Sequence, residues 1–124
     1  MTSLATSLVI HCNHPNEIGA GLKSALGRLR AAGIPVFNQA VLLRGVNDNS
    51  DTLAELSESL FDAGVIPYYL HCLDPVQGAA HFDLPLDKAR HIYSQLLARL
   101  PGYLCPRLVA DIPGKPSKTP VAPL

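Results

Sequence analysis

The sequence predicts an α/β fold in which about four parallel strands alternate with three helices. Short apolar runs at Leu8–Ile10, Pro35–Leu43, Val65–Leu73 and Leu104–Ala110 read as strands. Between successive runs, apolar residues return at helical spacing. Strand and helix in regular alternation imply right-handed crossovers, and such crossovers make the strands parallel. Length sets the scale: 124 residues, 48% of them hydrophobic, can bury one modest core.

Each element has a local reason. Leu8-Val-Ile10 runs into the polar cluster His11-Cys-Asn-His-Pro15, after which Ile18, Leu22, Ala25, Leu26 and Leu29 mark a first helix that Gly33 is placed to stop. The second strand leads into the turn-rich loop Arg44–Asn49, and Leu53, Leu56, Leu60 and Phe61 mark a second helix ending at Gly64. The third strand is followed by a Gly/Ala-rich loop from Asp74 to Leu84, and Ala89, Ile92, Tyr93, Leu96 and Leu97 give the third helix. Residues 1–112 form the α/β unit, and residues 113–124 are a tail stiffened by Pro113, Pro116 and Pro120. That tail carries Lys118, seven positions after Asp111 at the end of the last strand. By itself the segment reads as a solvated proline-rich terminus, yet a lysine held near a fixed carboxylate is also the usual anchor for an aldehyde cofactor.

Composition excludes several classes. Lys and Arg balance Asp and Glu at ten each, so no basic field gathers nucleic acid or anionic lipid. Cys12, Cys72 and Cys105 are odd in number and widely spaced, which fits reduced thiols acting as small core hydrophobes. No apolar run approaches the roughly 18 residues that span a bilayer, and the chain reads as cytoplasmic. Ligands of parallel α/β folds bind beyond the C-terminal ends of the strands. Those ends carry His11 and Asn13, Arg44 and Asn47, His71 and Asp74, and Asp111. A metal hydrolase built from His11, His14, Asp74 and Asp111 is disfavoured, because His-x-x-His at a strand end turns the two rings to different faces. Four strands cannot close a barrel, so a sheet face and two edges stay bare and self-association is expected.

Six segments, in order, carry a resemblance: His-Cys-Asn-His-Pro-Asn-Glu-Ile at 11–18, Asn-Gln-Ala-Val-Leu-Leu-Arg-Gly-Val-Asn-Asp at 38–48, Pro-Tyr-Tyr-Leu-His-Cys-Leu-Asp at 67–74, Gly-Ala-Ala-His-Phe at 78–82, Pro-Gly-Tyr-Leu at 101–104 and Pro-Ser-Lys-Thr-Pro at 116–120. Over nearly its whole length the chain resembles the C-terminal half of the lysine 2,3-aminomutases, most closely the branch that modifies elongation factor P. The resemblance implies the C-terminal part of a partial (β/α) barrel of the radical S-adenosylmethionine type. It implies an isomerase that uses S-adenosylmethionine, a 4Fe-4S cluster and pyridoxal phosphate to move an amino group of lysine. Lys118 then matches the lysine that holds pyridoxal phosphate. Asp74 and Asp111 match two carboxylates that bind the distal ammonium of substrate lysine, and charge-assisted bonds from two acids suit one ammonium. His11 and Gln39 match residues that contact the adenosyl group, and an imidazole and an amide can each hydrogen-bond ribose or adenine. Singly, each of these residues also reads as a cap, a turn residue or a satisfied structural group.

The departures are as informative. The family holds its cluster with Cys-x-x-x-Cys-x-x-Cys, and this motif is absent here, so the cluster ligands belong to a missing N-terminal half of the barrel. His71 stands where many catabolic relatives have tyrosine, which points to the elongation-factor branch. Lys115 and Pro116 replace glycines of the catabolic loop, and the resemblance assigns no role to Arg44 or Asn47. Met1 and the polar residues after it read as the start of a truncated or mis-started frame. The chain is therefore expected to be inactive alone; the alternative is a noncatalytic fragment that binds a small ligand or a partner.

Overall fold

Two glycines end two helices by backbone geometry. In the computed structural model, which describes residues 6–72, 84–110 and 119–122, helix α1 (Ala20–Ala31) stops where Gly33 takes a φ of 77°. The Gly33 amide donates to the Arg30 carbonyl and the Ile34 amide donates back to the Leu29 carbonyl, each at 3.0 Å. This Schellman arrangement satisfies carbonyls that the helix end leaves open. Gly64, with a φ of 86°, ends α2 (Ser50–Asp62) in the same conformation. Helix α2 starts cleanly as well: Asn49 Oδ1 accepts from the Thr52 amide at 2.8 Å, and Asp51 lies in the positive first turn. Helix α3 (Leu86–Arg99) follows Pro85.

The strands are β1 (Leu8–Ile10), β2 (Val36–Leu42), β3 (Val65–Cys72), β4 (Arg107–Ala110) and β5 (Thr119–Ala122). They form one sheet in the order β1-β2-β3-β4-β5; the first three pairings are parallel and β4–β5 is antiparallel. An order that never reverses, with every crossover of one hand, places all three helices on one face of the sheet. That face holds the core. Val36, Ala40 and Leu42 of β2 and Leu70 of β3 bury against Leu53, Leu56 and Leu60 of α2 and Ile92 and Leu96 of α3.

The opposite face is open. Along β2, buried residues alternate with half-buried Phe37, Gln39 and Val41. Val9, Ile66 and Tyr68, on the neighbouring strands, are exposed apolar residues. A bulge breaks the register here: Asn38 pairs with Pro67 but Gln39 pairs with Tyr69, leaving Tyr68 as an extra residue. A proline within an inner strand lacks a ladder donor, and a bulge is where a sheet accommodates one. The extra residue gathers aromatic rings, with Phe37 5.4 Å and Tyr69 4.3 Å from Tyr68 between centroids.

The α/β order predicted from sequence is the order observed, with four parallel strands and three helices. Two stretches differ. Leu104, read as the first residue of the last strand, closes a 3-10 turn at Gly102–Leu104, and β4 begins at Arg107, after Pro106. Tyr93 on α3 holds this junction by donating its hydroxyl to the Pro106 carbonyl at 2.6 Å. Within the segment read as tail, Thr119–Ala122 pair with β4 and extend the sheet. Among the described residues, no helix is long and apolar enough to cross a membrane.

Candidate functional site

Past the end of β1 the backbone ladder to β2 stops, and asparagine side chains continue it. Ile10 is the last residue of β1 in register, opposite Asn38. Asn38 then bonds both backbone groups of Cys12: its Oδ1 accepts from the Cys12 amide at 2.8 Å and its Nδ2 donates to the Cys12 carbonyl at 3.0 Å. Asn13 Oδ1 accepts from the Val41 amide at 2.9 Å. Asn47, from the loop after β2, donates Nδ2 to the Asn13 carbonyl at 2.8 Å and to the Val41 carbonyl at 2.9 Å, and accepts from the Leu43 amide at 2.8 Å. Asn38 is 2% exposed and Asn47 is 0% exposed, so the oxygen and nitrogen of each amide have a partner in a dry setting where an unmade bond would be costly.

The same segment is held from its other side. Glu17 Oε1 accepts from the amides of Asn13 at 2.9 Å and His14 at 3.1 Å, and His14 Nδ1 accepts from the Asn16 amide at 3.1 Å. This is a capping box on the turn Pro15–Glu17. His14 is thereby occupied as a cap, which removes the geometric appeal of a metal pair with His11.

Between these fixed points His11 is presented. Ile10 packs on the core, Cys12 is buried within it and His11 between them is exposed; that alternation turns His11 away from the helices. The last residue pair of the β1–β2 ladder is Ile10 with Asn38, so His11 is the first residue past the end of β1 and Gln39 is the next residue along β2. Gln39 is half-buried and pairs with Tyr69, and His71 pairs with Val41 and Val109 on the same face, its ring 5.7 Å from that of Tyr69. Arg44 lies exposed in the loop after β2.

Asp74, Asp111 and Lys118 lie outside the described residues. Their described neighbours share one row: Cys72, which ends β3, pairs with Ala110, which ends β4, and Ala110 pairs with Thr119, which opens β5. His11 and Gln39 thus each follow a member of the last β1–β2 pair, and the strand ends flanking the other three are aligned. Asn38 and Asn47, which sequence reasoning left without a role, are the groups that organise this end of the sheet. Nothing local marks them, since their bonds reach up to 34 residues along the chain.

The donor set decides which groups this chain could hold. The exposed imidazole of His11 and the half-buried amide of Gln39 can each hydrogen-bond hydroxyls and ring nitrogens. The cysteines do not suit an iron-sulfur cluster. All three are free, and burial pushes the thiols of Cys12, Cys72 and Cys105 up, that of Cys72 to about 11. Thiolates are the metal-binding form, and these three sit on separate elements.

No family model matches the sequence. Among curated proteins it is 54% identical over 120 residues to an L-lysine 2,3-aminomutase of Escherichia coli (strain K12), a match that covers 97% of this chain and 35% of that protein. It is 48% identical to an L-lysine 2,3-aminomutase of Haemophilus influenzae, over 95% of this chain and 35% of the relative, and 43% identical to that of Clostridium subterminale, over 91% and 27%. A crystal structure of a radical SAM methyltransferase from Sphaerobacter thermophilus shares the fold, with a TM-score of 0.59 at 19% identity over 85% of this chain and 34% of the other. The chain spans about a third of the length of the first two relatives and about a quarter of the third. Over 94–97% of its length the chain is thus similar to a portion of proteins named L-lysine 2,3-aminomutase, and it shares its α/β fold with a radical SAM structure.

Proposed function

We propose that the chain is the C-terminal part of an enzyme that isomerises L-lysine to β-lysine by radical S-adenosylmethionine chemistry. The observation that carries this is the 54% identity over 97% of the chain. In this reading His11 and Gln39 hydrogen-bond the adenosyl group, Asp74 and Asp111 bind the distal ammonium of lysine, and Lys118 holds pyridoxal phosphate. The alignment of Cys72, Ala110 and Thr119 in one row supports it, because the three candidates follow or precede that row by one or two residues. Pyridoxal phosphate would supply an electron sink for the migrating amino group, and S-adenosylmethionine the radical that starts the reaction. The chain's own contribution is placement: it orients adenosyl and substrate in near-attack geometry, and its apolar, aromatic sheet face keeps water away once covered.

The cluster ligands come from outside this chain, so the isolated chain is inactive and forms no 5′-deoxyadenosine. His71, at a position where many catabolic relatives carry tyrosine, favours modification of elongation factor P in the cytoplasm over lysine catabolism. A noncatalytic fragment that binds a ligand or partner is the second reading, favoured by the same missing ligands. One experiment separates them. The chain is expressed in a frame that supplies the remainder of a relative's length, loaded with pyridoxal phosphate and reduced with borohydride. Peptide mapping should place the pyridoxyl group on Lys118 and spare Lys115 on the same loop, and Lys118→Ala should abolish both label and lysine turnover. Equal labelling of both lysines, or turnover by Lys118→Ala, would refute the assignment.

A further inference from the structure

We infer that Asn13, Asn38 and Asn47 act as a positioning clamp that fixes the His11–His14 segment across the ends of β1 and β2 and so holds His11 beside Gln39. The inference rests on the reading of those two residues as adenosyl contacts. Three observations carry it. The strand ladder ends at Ile10, yet every backbone polar group of Cys12 and Asn13 downstream of it is bonded, to Asn38, Asn47 or Glu17. The side chains replace the ladder at the functional end of the sheet, where a continued strand would instead have run on past the mouth. Finally, the two loops that leave β1 and β2 are tied to each other through Asn47, so neither can move alone.

The bonding pattern makes an asymmetric prediction. Asn13 is used through its oxygen, as an acceptor for the Val41 amide, so an aspartate can replace it. Asn47 donates two bonds through its nitrogen, so an aspartate cannot. These residues position others and touch no reacting atom themselves.

The test uses the 124-residue chain with His11→Cys and Gln39→Cys introduced together. If the clamp holds His11 beside Gln39, the two positions come within the Cα separation that a disulfide spans, so diamide should join the two introduced thiols quickly. Peptide mapping distinguishes that bond from any made by Cys12. Adding Asn13→Ala should slow joining about tenfold and speed hydrogen exchange in the peptide containing Val41, while Asn13→Asp restores both. Adding Asn47→Asp should slow joining as Asn13→Ala does. Unchanged joining in Asn13→Ala, or an Asn13→Asp variant as slow as Asn13→Ala, overturns the clamp. Equilibrium dialysis of the unmodified chain with labelled S-adenosylmethionine is the separate arm. If the clamp variants behave as stated, binding supports the adenosyl reading and absence of binding counts against that reading alone, while the positioning stands.

Discussion

Replacing Asn38 by aspartate should make the stability of this chain depend on pH in a way that the wild-type residue does not. Asn38 is 2% exposed and bonds the Cys12 amide and carbonyl with opposite ends of its amide. An ionised aspartate keeps the acceptor but loses the donor, and it sets a carboxylate oxygen against the Cys12 carbonyl in a desolvated site. A protonated aspartate restores a donor. The folded state therefore favours the neutral form, and the carboxyl pKa rises above its unfolded value of about 3.9. The sign follows from proton counting. Above the unfolded pKa the folded state binds more protons than the unfolded state, so stability falls as pH rises. The variant should sit within about 1 kcal/mol of wild type near pH 4 and lose up to about 1.4 kcal/mol per pH unit above it, levelling off once the folded carboxyl ionises. Loss of a buried donor and its bond sets an overall cost of about 2–5 kcal/mol at neutral pH. Urea unfolding followed by far-UV circular dichroism from pH 4.5 to 8, wild type and variant side by side, measures it. A stability difference that is flat with pH, or near zero at pH 8, would refute the buried two-way bond to Cys12.

Three further outcomes are expected. Cys72, whose thiol burial pushes up to about 11 from 9.0 against a smaller opposing effect of Arg90, should react slowly with iodoacetamide near pH 8 in the native chain; its contribution to stability is present below about pH 9 and lost as pH rises toward 11, and labelling as fast as in urea would contradict this. Gly33→Ala should cost about 1–2 kcal/mol, purely from the positive φ, since a Cβ there meets nothing within 4 Å; a neutral result by urea titration would remove the helix-stop argument. The open face that exposes Val9, Ile66 and Tyr68 should drive concentration-dependent self-association in sizing chromatography, and Tyr68→Lys should weaken it; a single monomer peak at all concentrations would count against the face being adhesive.

Residue type and spacing determined the alternation of strands and helices, because the rules that produce it are local. Gly33 and Gly64 stop helices through their own backbone angles, Asn49 caps α2 through the Thr52 amide three residues on, and Leu53, Leu56 and Leu60 face the core through the helical period alone. The candidate residues His11, Gln39, Asp74, Asp111 and Lys118 were legible through likeness of ordered motifs, without any view of where they sit. Their arrangement was not legible. Where His11 leaves the sheet depends on the β1–β2 register, which ends at Ile10, the extra residue at Tyr68 depends on how β3 meets β2 around Pro67, and the strand at Thr119–Ala122 exists because β4 offers it an edge. Asn38 and Asn47 are the clearest case. As residues they are an ordinary loop amide and a mid-strand amide, and only the tertiary fold brings Cys12 and Asn13 to them across 26 and 34 positions of chain, where exclusion of water makes those amide bonds decide how the mouth of the sheet is held.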